Sequence, residues 1–374
     1  MTAQVIAFLL MLLPVAALSS SMVFQLQGNV YPIGGFTWLE CDVPHEVYRP
    51  RLNNKLLCED ERCVAMHGDL GIEHDCTKYP NQCNYKIIYA GDESSLGLLL
   101  ADKFSLPTTN DRLNFAFGCG YYQVGGLDER PVDGVLGVGK GTGNFVSQLK
   151  QQGMIDENVV GHCLSFHGGG FLFFGRDSDR IPSADVTWLP MVKDYRIYYS
   201  PGRSTLNLDV QQEYYISVTQ MDAVFDSGST YTYVHMETYA RLLWAVVDIT
   251  LQDSSLAKVT DPEHPQCWGY NEPIQSINDV KNEFQPLQWS FTHGGNQATV
   301  EIPPENYIVV TERGNVCLGI FNGSAHDVHD FNIIGGIMMQ NHVVIYDNER
   351  AQIGWVRAWC DELPGHQPLI GSHL

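Results

Sequence analysis

The chain has 374 residues, of which 44% are hydrophobic and 17% are charged, and its formal net charge is −21. A chain of this length exceeds the size at which one hydrophobic core usually stops growing, so we expect two lobes. The composition is that of a well-packed globular protein and not of a disordered one. The acidic balance argues against nucleic acid and anionic membranes as partners, because both would repel the chain.

The N-terminus has the pattern of a secretory signal peptide. An apolar run from Val5 to Leu18 is followed by three serines, and it is too short to serve as a permanent bilayer anchor. No later segment approaches the length and hydrophobicity of a membrane span. We therefore interpret residues 1–20 as a signal peptide and expect no membrane-spanning segment.

Ten cysteines indicate an oxidising compartment, and they stand at positions 41, 58, 63, 76, 83, 119, 163, 267, 317 and 360. The alternative for the tight group Cys58, Cys63, Cys76 and Cys83 is a zinc site. This group lacks two C-x-x-C knuckles, and we count no paired histidines beside it. Disulfides are therefore the favoured interpretation, and we expect no metal.

Short alternating or aromatic-rich runs, separated by Gly, Pro, Asn and Asp, dominate the chain and predict strands. Two stretches with apolar residues at helical spacing predict helices. In chain order the predicted elements are the strands Tyr85–Tyr89 and Leu113–Phe117, the helix Phe145–Gln151, the strand Phe171–Phe174, the helix Met236–Leu251, and the strands Val343–Tyr346 and Ile353–Val356. This pattern predicts an all-β fold of packed sheets, with a lobe boundary near Ile181–Tyr199.

The strongest local signal for chemistry is an aspartate at the end of an apolar strand. Ala223–Phe225 leads into Asp226, which is followed by a Ser-Gly turn and a second strand. Such a turn aims the carboxylate away from the sheet, where backbone amides and hydroxyls can hydrogen-bond it. Taken alone, Asp-Ser-Gly is also a common Asx turn between strands.

The two halves of the chain contain related segments with two apolar residues and a glycine. Asp133–Gly137 in the first half resembles Asn332–Gly335 in the second. In each case we expect the glycine to let a strand pass close to a neighbouring backbone.

Ordered short motifs extend over nearly the whole chain, from about Phe24 to Asp361. They are Gly28–Gly34, Thr37–Asp42, Phe117–Tyr121, Gly161–Ser165, Gly168–Gly175, Tyr198–Gly202, Phe225–Tyr233, Gly314–Ile320, Asn332–Gly336, Val344–Arg350 and Ile353–Val356. On these motifs the chain resembles the pepsin-like aspartic proteases, and most closely their plant nucellin-like branch.

The resemblance implies a bilobal, all-β endopeptidase that binds an extended polypeptide in the cleft between its lobes. In that family each lobe supplies one aspartate, and the pair shares a proton and activates a water. The resemblance makes Asp226 the C-lobe catalytic aspartate, steadied by Ser229. Tyr89 falls at the position of the family's flap tyrosine, although an ordinary strand aromatic is an equal alternative. No metal or nucleotide cofactor is implied, and we expect a monomer.

The N-lobe aspartate of the family has no counterpart in this chain. Counted back from Trp38, the position of that aspartate falls on Tyr31 in this chain. Pro32 and Ile33 stand where the family has Thr and Gly. The simplest account is a deletion of roughly two strands next to Gly34, which leaves an incomplete N-lobe. Three interpretations stay open: an inactive or impaired protease, a binding or inhibitor-like module without catalysis, and a spliced or mis-predicted version of an active protease.

The resemblance also implies a set of disulfides, Cys58–Cys83, Cys63–Cys76, Cys163–Cys360 and Cys267–Cys317. The family partners of Cys41 and Cys119 lie in the missing stretch. These two cysteines therefore either pair with each other or stay free. We expect residues 21–185 to form the N-terminal lobe and residues 186–374 the C-terminal lobe.

Two further sequence features concern the surface and the destination of the protein. Asn322 begins a glycosylation sequon, and His326 and His329, despite ligand-like spacing, are expected in a solvated loop. From the signal peptide and the plant resemblance we expect a protein of the secretory pathway, whose destination is the extracellular space, the cell wall or the vacuole.

Overall fold

The computed structural model describes residues 22–26, 50–88, 94–106, 112–124, 135–176, 185–193, 199–210, 214–215, 221–252, 254–293, 295–326 and 328–361. The expected signal peptide, Tyr89, Cys41 and the segment next to Gly34 lie outside these residues. Among the described residues, no helix is both long enough and apolar enough to cross a bilayer.

Within the described residues, strands outnumber helices by a wide margin. The strands are β1 Met22–Leu26, β2 Asn84–Ile88, β3 Ser94–Ser105, β4 Arg112–Val124, β5 Val159–Leu164, β6 Gly170–Phe174, β7 Thr187–Pro190, β8 Tyr199–Val210, β9 Tyr214–Tyr215, β10 Met221–Phe225, β11 Thr232–Val234, β12 Ala257–Val259, β13 Cys267–Gly269, β14 Leu287–His293, β15 Asn296–Ile302, β16 Ile308–Val310, β17 Val316–Leu318, β18 Ile320–Asn322, β19 Asn332–Ile334, β20 His342–Asp347 and β21 Gln352–Arg357. The α-helices are α1 Glu61–Leu70, α2 Phe145–Gln151, α3 Met236–Trp244 and α4 Gly336–Met339. The all-β prediction is confirmed.

A six-stranded sheet joins the two halves of the chain. Its order is β1-β6-β5-β20-β21-β7, so strands near the C-terminus lie between strands of the first half and β7. Val343 in β20 pairs with Cys163 in β5, and a disulfide links Cys163 to Cys360 just beyond β21. The halves are therefore held together by a shared sheet and by a covalent bridge.

The second half contains the largest sheet and most of the core. Eight strands include the path β15-β14-β8-β10-β19-β11-β18, and β12-β13-β17-β16 form a separate four-stranded sheet. The β14 side chains Leu287, Trp289 and Phe291 are each at most 1% exposed. Burying such large apolar side chains contributes roughly 1.5 to 3 kcal/mol each. The Cys267–Cys317 disulfide, also implied by the resemblance, ties β13 to β17.

In the first half, β2, β3 and β4 form an antiparallel sheet, and α1 packs beside it. Asp60 caps α1 by accepting a hydrogen bond from the Arg62 amide, and Gly71 ends it in the left-handed conformation with φ of 68°. The sequence reading did not predict α1. Its inward face consists of Cys63 and His67 and not of a regular aliphatic stripe, which explains the omission.

The predicted helices are found, with one difference in length. Helix α2 has the predicted bounds, and Asn144 caps it by accepting from the Ser147 amide. The stretch predicted as one helix over Met236–Leu251 is α3 followed by a π-helical segment, Ala245–Thr250. The predicted strands lie within or overlap β2, β4, β6, β20 and β21.

Two of the four expected disulfides are wrong. The structure joins Cys58 to Cys76 and Cys63 to Cys83, where the resemblance implied Cys58–Cys83 and Cys63–Cys76. The reason is the placement of α1. Its first turn directs Cys63 into a buried cluster with Leu56, Cys83 and Leu99, so Cys63 meets Cys83 there and Cys58 is left for Cys76. Among the described cysteines, Cys119 is a free thiol.

Candidate active site: the Asp226 turn

Asp226 lies where the central strand β10 ends. β10 runs parallel to β19, with Phe225 opposite Ile334, and the Asp226 amide donates to the Ile334 carbonyl at 3.0 Å. The last three residues of the strand, Ala223–Phe225, are apolar and buried, and Asp226 is only half-buried. The sheet thus carries the backbone to the edge of the core and presents the carboxylate there.

Both carboxylate oxygens of Asp226 accept hydrogen bonds from the following turn. The Gly228 amide donates to Oδ1 at 2.9 Å, and the Ser229 hydroxyl donates to Oδ2 at 2.8 Å. The Ser229 amide closes the turn by donating to the Asp226 carbonyl at 3.3 Å. The side chain is therefore held in one orientation by its own loop, as the Asp-Ser-Gly-Ser pattern predicts.

Gly335 locks the turn against the rest of the sheet. A Cβ atom at this position would stand 2.1 Å from the Tyr231 carbonyl oxygen, so only glycine permits the approach. The Gly335 amide donates to the Thr232 hydroxyl at 3.1 Å, and the Gly336 amide donates to the Ser229 carbonyl at 2.7 Å. The close approach expected of this glycine is confirmed.

An aromatic cluster lies beneath the turn. Tyr346 stacks on Tyr199 with ring centroids 4.1 Å apart, and Phe225 contacts Tyr346 edge-on at 6.2 Å. Burial raises the pKa of Tyr199 to about 12. Burial, then Tyr199 and the charge of Asp226, raise the pKa of Tyr346 well above its usual value, so both phenols stay neutral beside the carboxylate.

The related segment of the first half has a different environment. Val135 is 67% exposed and Leu136 is 52% exposed, whereas Ile333 and Ile334 are buried at 5% and 2%. No atom of the described residues lies within 4 Å of a Cβ built on Gly137. No strand or turn of the described residues covers Gly137, so the close backbone passage expected there is not seen within them.

The other residues singled out by the sequence lie away from Asp226 or outside the description. Tyr89 is not among the described residues. Asn322 ends β18 half-buried, and its side-chain oxygen accepts from the Ser324 amide at 3.1 Å. The His326 ring stacks on Phe321, and neither His326 nor His329 joins any group of potential metal ligands within the described residues. The sequence analysis missed the contribution of Tyr199 and Tyr346, although both belong to the motifs that carry the resemblance.

A bilobal β scaffold with an Asp-Ser-Gly turn fastened beside an Ile-Ile-Gly strand defines the class of pepsin-like aspartic proteinases. Residues 33–176 match the family model described as xylanase inhibitor N-terminal, and residues 205–357 match the one described as xylanase inhibitor C-terminal. An aspartic proteinase of Oryza sativa subsp. japonica is 40% identical over an alignment of 419 positions that covers 100% of both chains. Aspartic proteinase 36 of Arabidopsis thaliana is 23% identical over 81% of this chain and 61% of that protein. The chain belongs to the plant branch of the pepsin-like aspartic proteinase family.

Solved structures agree on the fold. Soybean basic 7S globulin superposes with a TM-score of 0.62 at 15% identity, covering 90% of this chain and 94% of that one. An aspartic proteinase from Irpex lacteus superposes with a TM-score of 0.56 at 16% identity, covering 74% and 82%. At such identities the likeness establishes the pepsin-like fold alone.

Proposed function

We propose that this chain is an aspartic-endopeptidase scaffold that keeps one catalytic aspartate, Asp226. With this sequence it has no peptidase activity. The relatives are named aspartic proteinases, and peptide-bond hydrolysis is the activity of the family. That chemistry needs two carboxylates close enough to share a proton, one to take a proton from water and one to polarise the peptide carbonyl. Asp226 alone can orient a water but has no partner to complete the pair.

The contrast between the two halves carries this proposal. The Ile333–Ile334–Gly335 segment is buried and fastened to an aspartyl turn, whereas the Val135–Leu136–Gly137 segment is exposed. The length of the chain gives independent support. The alignment with the rice proteinase spans 419 positions and this chain has 374 residues, so about 45 positions of the relative have no counterpart here. A loss of this size could include the two strands and turn that the sequence lacks near Gly34.

A second candidate function is a non-catalytic binding or inhibitor-like module. It is favoured by the intact aspartyl turn of the second half together with the expected loss of the first-half aspartate. Both matching family models are described by the name of a xylanase inhibitor, which supports the idea that this scaffold also serves in binding. A cleft between lobes could hold an extended polypeptide through strand-like hydrogen bonds without cleaving it. The four disulfides support a secretory route for either function.

The test is a peptidase assay on the purified chain and on Asp226→Ala. Denatured haemoglobin is incubated with each protein from about pH 3 to about pH 6, because carboxylate pairs share a proton at acidic pH. We expect the two proteins to be indistinguishable and an aspartic-protease inhibitor to have no effect. Inhibitor-sensitive cleavage by the chain that disappears in Asp226→Ala would overturn the proposal of inactivity. Tight binding of a polypeptide without cleavage would favour the second candidate.

A further inference from the structure

Helix α1 and the loop between it and β2 bring two histidines, His67 and His74, beside two disulfides. His74 Nε2 lies 3.3 Å from Cys76 Sγ, and His67 Nε2 lies 3.9 Å from Cys63 Sγ. The two rings meet through their Nδ1 atoms, which are 2.9 Å apart. The sequence analysis counted no paired histidines near these cysteines, and that reading is wrong.

The hydrogen bonds fix which nitrogens of the two rings carry protons. His67 Nε2 lies 2.7 Å from the Asn84 carbonyl, and a carbonyl oxygen only accepts, so this nitrogen is the donor. In a neutral ring His67 Nδ1 is then an acceptor, and His74 Nδ1 must donate to it. The neutral His74 ring therefore has its lone pair on Nε2, the nitrogen that faces Cys76 Sγ.

The distances around His74 match the edges of a metal tetrahedron. Zinc bonds of ordinary length to imidazole nitrogen and thiolate sulfur place the two ligand atoms about 3.5 Å apart. The observed 3.3 Å from His74 Nε2 to Cys76 Sγ is close to that value, and one ligand atom each from Cys58, His74 and Cys76 lie within 4.8 Å of one another. Glu73 and Asp75 flank His74 in sequence and add negative charge that favours a cation.

We propose that reduction of the Cys58–Cys76 disulfide turns this loop into a Zn²⁺ site formed by Cys58, Cys76 and His74. A dithiol reductant gives two electrons and two protons to the bridge, leaves as a cyclic disulfide, and yields two thiols. Zinc then binds both sulfurs as thiolates and releases two protons to solvent, while His74 Nε2 gives its lone pair and water completes the tetrahedron. His67 is a positioning residue that orients His74 from the outer shell and is itself held by the Asn84 carbonyl.

Burial makes this bridge the one that a reductant reaches first. Cys76 is half-buried and its partner Cys58 is 3% exposed, whereas the cysteines of the other three bridges are each 0% exposed. The alternative set of Cys63, His67 and His74 is less suited to a metal. His67 Nε2, the nitrogen nearest Cys63, already donates to the Asn84 carbonyl and offers no lone pair.

The experiment measures zinc uptake by the full chain, with Cys41 and Cys119 replaced by serine to remove the two cysteines left over by the four bridges. The protein is titrated with a dithiol, and mass spectrometry after alkylation identifies which cysteines have opened. Zinc affinity is measured by competition with a chromophoric chelator. We expect one Zn²⁺ per chain once Cys58 and Cys76 are open, and none before.

Matched variants separate the site from general thiol binding. We expect His74→Ala to weaken zinc binding by more than tenfold and His67→Gln by about tenfold, the usual effect of an outer-shell partner. His326→Ala, which removes a histidine from a distant loop, should leave the affinity unchanged. Equal affinity in His74→Ala and the parent, equal uptake by the oxidised chain, or opening of the buried bridges before Cys58–Cys76 would each overturn the proposal. Cobalt spectra of the reduced parent supply a second readout, because two thiolates and one imidazole differ from thiolates alone.

Discussion

Replacing the two related glycines by alanine tests how differently the two halves are built. In Gly335→Ala the new methyl group would stand 2.1 Å from the Tyr231 carbonyl oxygen and 3.0 Å from the Ser229 carbonyl oxygen, and both are backbone atoms that cannot rotate away. In Gly137→Ala the methyl group meets no atom of the described residues within 4 Å. The same substitution therefore creates a steric clash in the second half and meets no described atom in the first half.

The magnitude follows from what must move to admit the Gly335→Ala methyl group. Overpacking a closed site costs about 1 to 3 kcal/mol. Separating β19 from the turn would also weaken the bonds from the Gly335 amide to Thr232 and from the Gly336 amide to Ser229. Each buried group left without a partner costs a further 1 to 3 kcal/mol, roughly. We expect Gly335→Ala to lower the free energy of unfolding by about 3 kcal/mol and Gly137→Ala to change it by less than about 0.5 kcal/mol.

Urea unfolding of the full chain, followed by tryptophan fluorescence, gives both values in one experiment. The disulfides are kept intact so that the two variants and the parent share one unfolded state. A loss of stability in Gly137→Ala as large as that in Gly335→Ala would refute the reasoning. It would mean that another part of the chain covers Gly137 as tightly as the Asp226 turn covers Gly335.

Two further predictions concern acid stability and proteolysis. Burial lowers the pKa of His162 and of His342 to about 4, so the folded state binds fewer protons than the unfolded state, whose histidines keep the usual value of 6.5. Stability should therefore fall as the pH is lowered from about 6.5 to about 4 and level off below, by on the order of 3 kcal/mol for each histidine. Urea midpoints measured across this range check the slope, and an unchanged midpoint in the parent would contradict it. Limited proteolysis should cut first between residues 36 and 47, just after the expected deletion, while residues from about 185 to 361 stay intact; resistance of residues 36–47 together with early cuts between 185 and 361 would contradict a better-held second half.

The parts of the fold that the sequence predicts are those with strong local signals. Helix α2 was predicted with its observed bounds from a short run with helical spacing, and Asp226 was found because its turn is formed by consecutive residues. The close approach at Gly335 was expected from a glycine after two apolar residues. The same pattern at Gly137 has no such approach among the described residues, because a close approach depends on a strand elsewhere in the chain.

Features that depend on contacts between distant residues could not be predicted from the sequence. Four cysteines allow three connectivities, and spacing alone cannot choose among them. The choice in the first half is made by α1, which directs Cys63 inward, and α1 itself has no regular aliphatic stripe to reveal it. The contact between His67 and His74 arises from the same helix and the loop that follows it. Each of these features is set by packing that forms only when the elements come together.

Restoring the missing segment tests the central claim most directly. A family-type strand–Asp-Thr-Gly–strand segment is inserted between Gly34 and Phe36, and acid peptidase activity is compared among the parent, the restored chain and the restored chain with Asp226→Ala. The account predicts cleavage of denatured haemoglobin by the restored chain alone, because only that protein has both carboxylates. Activity in the parent that Asp226→Ala abolishes, or no activity in a restored chain that unfolds cooperatively, would contradict it.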